Sequence, residues 1–169
     1  MSASADRDPM KLTSTAFEKN ADIPVAHSAD GDGSLPPLAI NDIPTETVTL
    51  ALTCFDPDVP RDRRADGNFD HWVVWNLAPT DANIPTEHHH SGVVGLNTFK
   101  EPGWVPCAPP VGDGPHRYYF TVYALDTTLD LPVNTTRAQL EQAIEGHVIE
   151  EAQLMGTFTR QRPCPSGSS

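Results

Sequence analysis

The sequence predicts a mainly β fold with a short helical section near its C-terminus, and three stretches carry that prediction. Thr45 to Phe55 alternates apolar and polar residues with a period of two, the mark of a half-buried strand. His71 to Leu77 is nearly all apolar, as a central strand covered on both faces would be. Arg117 to Leu125 is rich in aromatic and β-branched residues, which favour strands. Turn residues bound each stretch and no strand–helix–strand rhythm links them. A β-sandwich-like core, or a larger sheet flanked by small ones, therefore fits better than any βαβ scheme.

Taken in order, residues 1–10 are polar and expected to be loose. Leu12 to Phe17 reads as a short edge strand. From Ala21 to Pro44, recurring Pro, Gly, Asp and Asn indicate irregular chain that packs through Leu35, Leu38 and Ile40. In the Thr45 to Phe55 strand, Val48, Leu50, Leu52 and Cys54 share one face, while Thr47, Thr49, Ala51 and Thr53 share the other. Asp56-Pro57-Asp58-Val59-Pro60 ends that strand, because two prolines break the ladder and stiffen the loop. A charged loop, Arg61 to Phe69, leads to the second strand. Residues 78–105 form a long link with few strand signals.

Pro106, Pro109, Pro110, Gly112, Gly114 and Pro115 then make a tightly turned loop that neither a helix nor a central strand accommodates. It feeds the third strand. Asp126 to Pro132 is a turn region. Thr136-Arg137-Ala138-Gln139 fits a capping box, so a helix is expected from Arg137 to Glu145, with Leu140, Ala143 and Ile144 inward. Gly146 interrupts it, and a second helical piece is expected from His147 to Leu154, burying Val148, Ala152 and Met155. Thr157 to Gln161 reads as a last short strand. One domain over residues 11–162 and a flexible tail over 163–169 complete the organisation.

Composition narrows the functional classes. The net charge is −12, and only three lysines occur, Lys11, Lys19 and Lys100. Such a surface disfavours nucleic acid and anionic membranes as partners. It also resembles that of proteins from a high-salt cytoplasm, where self-repulsion is screened. The start, MSASADRDPMKL, has no long apolar run, which reads as no secretory signal and a cytoplasmic location. No stretch is apolar for long enough to span a membrane. Cys54, Cys107 and Cys164 are odd in number and far apart, so reduced thiols are expected, with neither a disulfide framework nor a zinc site. Cys107 lies in the proline loop but has no base beside it in sequence, so a structural role is expected. His88-His89-His90 invites a metal reading, yet neighbouring side chains on an extended chain point in alternating directions, which favours a solvated loop.

Three polar clusters sit at strand ends, where loops gather into pockets. Asp56 to Pro60 closes the first strand, His71-Trp72 opens the second, and Pro109-Pro110 through His116-Arg117-Tyr118 opens the third. His116 and Tyr118 are two apart and share a face. Taken singly, each cluster is also explained by a surface turn, a satisfied core histidine or a partly buried tyrosine.

Together, the motifs DPDVP at 56–60, HWVVWN at 71–76 and PCAPPVGDGPHRYYFTVYALD at 106–126 resemble the phosphatidylethanolamine-binding protein family, in particular its bacterial and archaeal Raf-kinase-inhibitor-like branch. The resemblance covers about residues 11–160. It implies a large antiparallel sheet packed on a smaller one, with short C-terminal helices, and a pocket for small anions such as a phosphoryl headgroup. By motif position it places the pocket at Asp56, Pro60, His71, Pro109, Pro110, His116 and Tyr118, with a cis peptide bond common at Pro60. His71, His116 and Tyr118 are hydrogen-bond donors suited to an anion. Asp56 suits the task of holding an imidazole in one tautomer. The Gly112 to Gly114 turn offers backbone N–H groups as a shallow nest. Non-enzymatic binding of a phosphate or phosphoryl headgroup follows as the leading expectation, without a cofactor, and with a kinase or protease as the kind of protein partner some relatives regulate. Acid–base hydrolysis through the same Asp, His and Tyr residues is the alternative, and a metal site at His71, His116 and Asp56 is a third. An exposed apolar patch around Trp104 is expected to serve any homodimer.

Overall fold

The computed structural model describes residues 9–60, 64, 65, 67–79, 83, 84, 92–109 and 114–160. Over these residues the fold is mainly β, with two antiparallel sheets and one α-helix. The smaller sheet has the order β1-β2-β5, from Lys11–Thr13 (β1), Leu38–Asn41 (β2) and Asn83–Ile84 (β5). The larger has the order β6-β4-β3-β7-β8, from Val93–Val94 (β6), Phe69–Leu77 (β4), Thr49–Asp56 (β3), His116–Leu125 (β7) and Val148–Phe158 (β8). Helix α1 spans Arg137–Ala143.

The three stretches that predict the fold become the three central strands of the larger sheet, β4, β3 and β7. Alternation sorts their side chains onto two faces. One face carries Leu50, Leu52 and Cys54 of β3, Trp72 and Val74 of β4, and Phe120 and Val122 of β7. It packs against Leu12, Leu38, Ile40 and Ile84 of the smaller sheet. The opposite face carries Ala51, Val73, Trp75 and Leu125 and is covered by Leu129, Leu140 and Ile144 around α1. Burying side chains of this size stabilises by roughly 1.5–3 kcal/mol each, so both faces of β3 and β4 contribute. The near-continuous apolar run of β4 is the sequence trace of that double cover.

Several boundaries differ from expectation, each for a local reason. β1 starts at Lys11 and stops at Thr13, where the Ser14 hydroxyl accepts the Ala16 N–H at 3.0 Å and turns the chain. β3 starts at Thr49, because Thr47 N–H closes a turn onto the Pro44 carbonyl; Val48 is left 45% exposed. The link 78–105 contains β5 and β6. α1 begins at Arg137 with the expected box: the Thr136 side chain accepts Gln139 N–H, and the Gln139 side chain accepts Thr136 N–H. Leu140 and Ile144 are buried as expected.

The second helical piece expected over His147 to Leu154 is a strand, and it absorbs the separate strand expected from Thr157. β8 pairs with β7 from His116↔Phe158 to Leu125↔Val148. The unfilled hydrogen-bonding edge of β7 overrides the helical spacing of Val148, Ala152 and Met155. The residues turned to the core are Leu154, Gly156 and Phe158, with the expected Ala152 half-buried against the same core, while Val148 is exposed. Trp104 does not head an exposed patch. It is half-buried, stacks on Phe120 with ring centroids 6.1 Å apart, and its indole N–H donates to the Gly33 carbonyl at 2.9 Å. The Val59–Pro60 peptide is trans, like every peptide bond described. His88 to His90, Pro110, Gly112 and Cys164 lie outside the described residues. No helix among the described residues is long and apolar enough to cross a membrane.

Gly156 is where β8 meets the N-terminal segment. A Cβ there would stand 2.6 Å from Phe17 Cε2 and 2.7 Å from Ile23 Cγ1. Gly156→Val is expected to destabilise by about 1–3 kcal/mol through overpacking. In urea unfolding, the midpoint should fall with the slope unchanged; an unaltered midpoint would show that this packing tolerates a side chain.

Candidate functional site

Three adjacent strands, β4, β3 and β7, end or begin at one rim of the larger sheet, and each delivers polar side chains to the face shared with the smaller sheet. β3 ends in Asp56. β7 begins with His116 and Tyr118 on that same face, since Cys54 pairs with Phe120.

His71 reaches this face through an irregularity. In the β3–β4 ladder Cys54 pairs with Trp72, but Phe55 pairs with Asp70. His71 therefore has no residue opposite it, and the strand is bulged there. Strict alternation would have put His71 with Val73 and Trp75, facing α1. The bulge moves it to the side of Phe69 and Trp72. Its ring lies 4.7 Å from Phe69, 5.1 Å from Tyr118 and 5.9 Å from Trp104, centroid to centroid. Asp70 stays on the helix side and is held there by Arg137, whose Nε donates to Oδ1 at 2.6 Å. The Arg137 guanidinium also lies 4.2 Å above the Phe55 ring.

The cavity these residues enclose has a volume of about 460 Å³. Asp56, His71, Pro109, His116 and Tyr118 line it together, with Val59, Arg64, Phe69, Phe99, Val105 and Pro106 among the other walls. Pro60 does not line it. That residue borders a neighbouring depression with Asp58, Pro115 and Arg117, on the far side of His116. The trans turn after Asp58 carries Pro60 outward and leaves Val59 facing in. Pro110 and the expected Gly112 nest lie outside the described residues.

Arg64, Phe69 and Phe99 escape motif reasoning. Arg64 comes from the charged loop, whose only sequence signal is its arginine content. Phe69 and Phe99 flank linking regions, and nothing in their local pattern points to a cavity.

The hydrogen bonds assign most polar roles. His116 Nδ1 lies 2.6 Å from Asp56 Oδ2, with both side chains almost wholly buried. A carboxylate only accepts, so Nδ1 carries the hydrogen. Asp56 Oδ1 accepts the Asp58 N–H at 2.8 Å. His71 Nδ1 donates to the Val105 carbonyl at 2.7 Å. Burial lowers the pKa of His71, outweighing that backbone hydrogen bond and the nearby Asp56 and Asp70, and so favours the neutral ring. Burial raises the pKa of the Tyr118 hydroxyl and of the Cys107 thiol, holding both well above their ordinary values. Tyr118 is thus a protonated donor, and its hydroxyl has no hydrogen-bond partner among the described residues.

The loop between Asp56 and Pro60 is anchored a second time. Arg117 grips Asp58 with Nε at 2.9 Å and Nη2 at 2.8 Å, and its backbone N–H adds a third bond at 2.8 Å. Those hydrogen bonds lower the pKa of Asp58. Alternate residues of the DPD motif are in this way tied to consecutive residues of β7.

Donors, the Arg64 guanidinium and apolar walls suit a small anionic or polar group. For a metal the arrangement is poorer. The Nδ1 atoms of both histidines already have partners, and among the described residues no group of three His, Cys, Asp or Glu side chains is placed to hold an ion.

Comparison with known proteins agrees with this architecture. The chain is 46% identical over 149 residues to a UPF0098 protein of Chlamydia muridarum, covering 88% of this chain and 98% of the relative. The crystal structure of a phosphatidylethanolamine-binding protein homolog from Chlamydia trachomatis superposes with a TM-score of 0.87 at 44% identity, covering 90% of this chain and 99% of that one. Escherichia coli YbcL, described as a member of the mammalian family, shares the fold with a TM-score of 0.81 at 24% identity, over 91% of this chain and all of its own. The sequence pattern of the phosphatidylethanolamine-binding protein family matches residues 13–159. On that match and these likenesses, the chain belongs to the phosphatidylethanolamine-binding protein family.

Proposed function

We propose that the chain binds a small oxyanion, a phosphate or a phosphoryl headgroup, in this cavity without transforming it, and that a protein partner such as a kinase or protease reads the occupied state. One observation carries the reading: three neighbouring strands bring His71, Tyr118 and the Asp56–His116 pair to the wall of one cavity, with Arg64 beside them. Asp56 alone would repel an anion, but both of its carboxylate oxygens are engaged by His116 and the Asp58 N–H. Its charge supports a cationic His116. Apolar walls displace water that would compete for the donors, so each hydrogen bond to the anion counts for more. Pro106 and Pro109 stiffen the mouth, so little ordering entropy is lost on binding.

Hydrolysis is the second reading, and the buried Asp56–His116 bond is what favours it, because that pair resembles an oriented general base. Cys107, the nearest candidate nucleophile in the sequence, is buried and held as a thiol, a poor nucleophile. Chromogenic phosphate and acyl esters separate the readings. Turnover that His116→Ala abolishes would replace binding with catalysis.

Titration calorimetry with phosphoethanolamine tests the binding reading directly. Affinity is expected to rise as pH falls from 8 to 6. His71→Ala and His116→Ala should each weaken binding by about tenfold or more, the worth of a hydrogen bond to a charged group. Heat that is absent, or unchanged in both variants, removes the proposal.

The burial of His71 also predicts the stability of the empty protein. Its folded pKa lies below its ordinary value of 6.5, so the unfolded chain binds the extra proton first. This contribution is fully present above pH 6.5 and is lost as pH falls through and below that value. Urea unfolding at pH 7.5 and 5.5 should show a loss in wild type that is smaller in His71→Gln. Equal losses would mean that His71 is not held neutral. The net charge of −12 adds a salt effect: raising potassium chloride should raise the unfolding midpoint by screening self-repulsion, and a midpoint indifferent to salt would reject the halophile-like reading of the surface.

A further inference from the structure

We propose that the cavity selects oxyanions that carry a proton, such as phosphate monoesters in their monoanionic form, over oxyanions that carry none, such as sulfate esters, and that His71 makes the selection. This deepens the anion-binding reading above and rests on it.

The hydrogen-bond geometry of His71 sets the rule. The Val105 carbonyl has only lone pairs to offer, so the ring nitrogen 2.7 Å from it must carry hydrogen. In a neutral imidazole the other nitrogen, Nε2, is then a bare acceptor. Among the described residues Nε2 has no hydrogen-bond partner. The ring is wedged between Phe69, Tyr118 and Trp104, so it cannot readily turn over to present the N–H instead. The bulge at His71, between the paired Asp70 and Trp72, holds the backbone in the same sense.

The charged and titratable neighbours do not remove this restriction. Asp56 on β3 and Asp70 beside the ring favour an imidazolium. His116 on β7 opposes it, and burial opposes it more strongly than the carboxylates assist. Arg64 and Tyr118 share the cavity wall; Arg64 is itself a cation and the buried Tyr118 hydroxyl stays protonated, so neither adds the negative charge that would favour a second ring proton.

An oxyanion without a proton meets Nε2 lone pair to lone pair. It binds well only after His71 is protonated against its environment. A phosphate monoester in its monoanionic form has a P–O–H group. That hydroxyl can donate to Nε2 while the remaining oxygens accept from the Tyr118 hydroxyl and from Arg64. The proton balance is simple. At pH 8 the free monoester is mainly a dianion, since its second pKa is about 6. The complex holds one more proton than the separate partners, lying between a phosphate oxygen and Nε2. At pH 5 the free monoester already brings that proton, and none is taken up.

Phenyl phosphate and phenyl sulfate test the inference, because at pH 5.5 both are carried mainly as monoanions of nearly equal size. Calorimetry at that pH should show phenyl phosphate binding at least about tenfold more tightly, the worth of one hydrogen bond gained and one repulsion avoided. Repeating the phenyl phosphate titration at pH 8 in buffers of different ionisation enthalpy should show uptake of about one proton, falling towards zero at pH 5. In His71→Gln the side-chain amide can donate as well as accept. The preference over phenyl sulfate should shrink towards one, and the proton uptake at pH 8 should fall. If the two esters bind equally and no proton is taken up, the selection is wrong and the anion site stands. If neither ester binds, the anion site fails and the selection fails with it. The wild-type comparison of the two esters decides the question even if His71→Gln does not fold, because a proton taken up by His116 would accompany phenyl sulfate as well as phenyl phosphate.

Discussion

A buried carboxylate at the end of β3 is the constraint on which the site depends. Asp56 is 3% exposed, and an ion taken that far out of water is tolerated only with partners in place. Among the described residues it has two: the imidazole N–H of His116 on β7, and the Asp58 N–H of its own turn. Satisfying Asp56 thus fixes the end of β3 against the start of β7, sets the His116 tautomer and bends the loop that forms one wall of the cavity. The Arg117–Asp58 bonds repeat the connection nearer the surface. They are more exposed than the Asp56–His116 pair, so screening by water leaves them a positioning role more than an energetic one.

The second constraint is the bulge at His71. A strand turns alternate side chains to opposite faces, so one inserted residue decides which side a whole run occupies. Below the bulge, Phe69 faces the cavity and Asp70 faces α1. Above it, Trp72 and Val74 face the smaller sheet and Val73 and Trp75 face α1. His71 occupies the extra position, on the cavity side. Two anchors hold the irregularity: Asp70 is gripped by Arg137, and the Asp70 N–H donates to the Thr98 hydroxyl at 2.7 Å. The polar cluster on the helix face thereby supports a ring on the opposite face.

Much of this was legible in the residues. Alternation in β3, the apolar run of β4 and the aromatic composition of β7 identified the central strands, because those signals arise from burial on one or both faces. The three motifs placed Asp56, His71, Pro109, His116 and Tyr118 near strand ends, and the structure brings these five into one cavity. The bulge was not legible, because register belongs to a pair of strands and leaves no mark in either alone. Pro60 was misplaced for a related reason: the motif names the turn but not the direction in which each of its residues points. β8 was misread because Val148, Ala152 and Met155 repeat at a helical interval, while the alternation of Leu154, Gly156 and Phe158 is weakened by a glycine in its middle. Only the exposed edge of β7 decides between the two patterns, and that edge exists only after the sheet has formed.

The cavity itself constrains the shape of any molecule that the proposed site would hold. At about 460 Å³ it falls within the ordinary range for small-molecule sites, roughly 300–1,000 Å³. A phosphate group alone fills a small part of that. The polar groups cluster at the buried end, where Asp56, His71 and His116 are each less than 5% exposed. The outer walls are Val59, Val105, Pro106 and Phe99, and Phe99 is 61% exposed. Phe99 stands on a tight turn made by Asn97, whose side chain accepts the Phe99 N–H at 2.8 Å, and Lys100 follows with a φ of +61°. A group that satisfies the buried end must therefore leave the rest of its molecule against an apolar wall and an exposed aromatic ring. Free phosphate would leave that wall facing water. An oxyanion carried on an apolar body would cover it, and burying apolar area is what adds affinity beyond the few hydrogen bonds at the base.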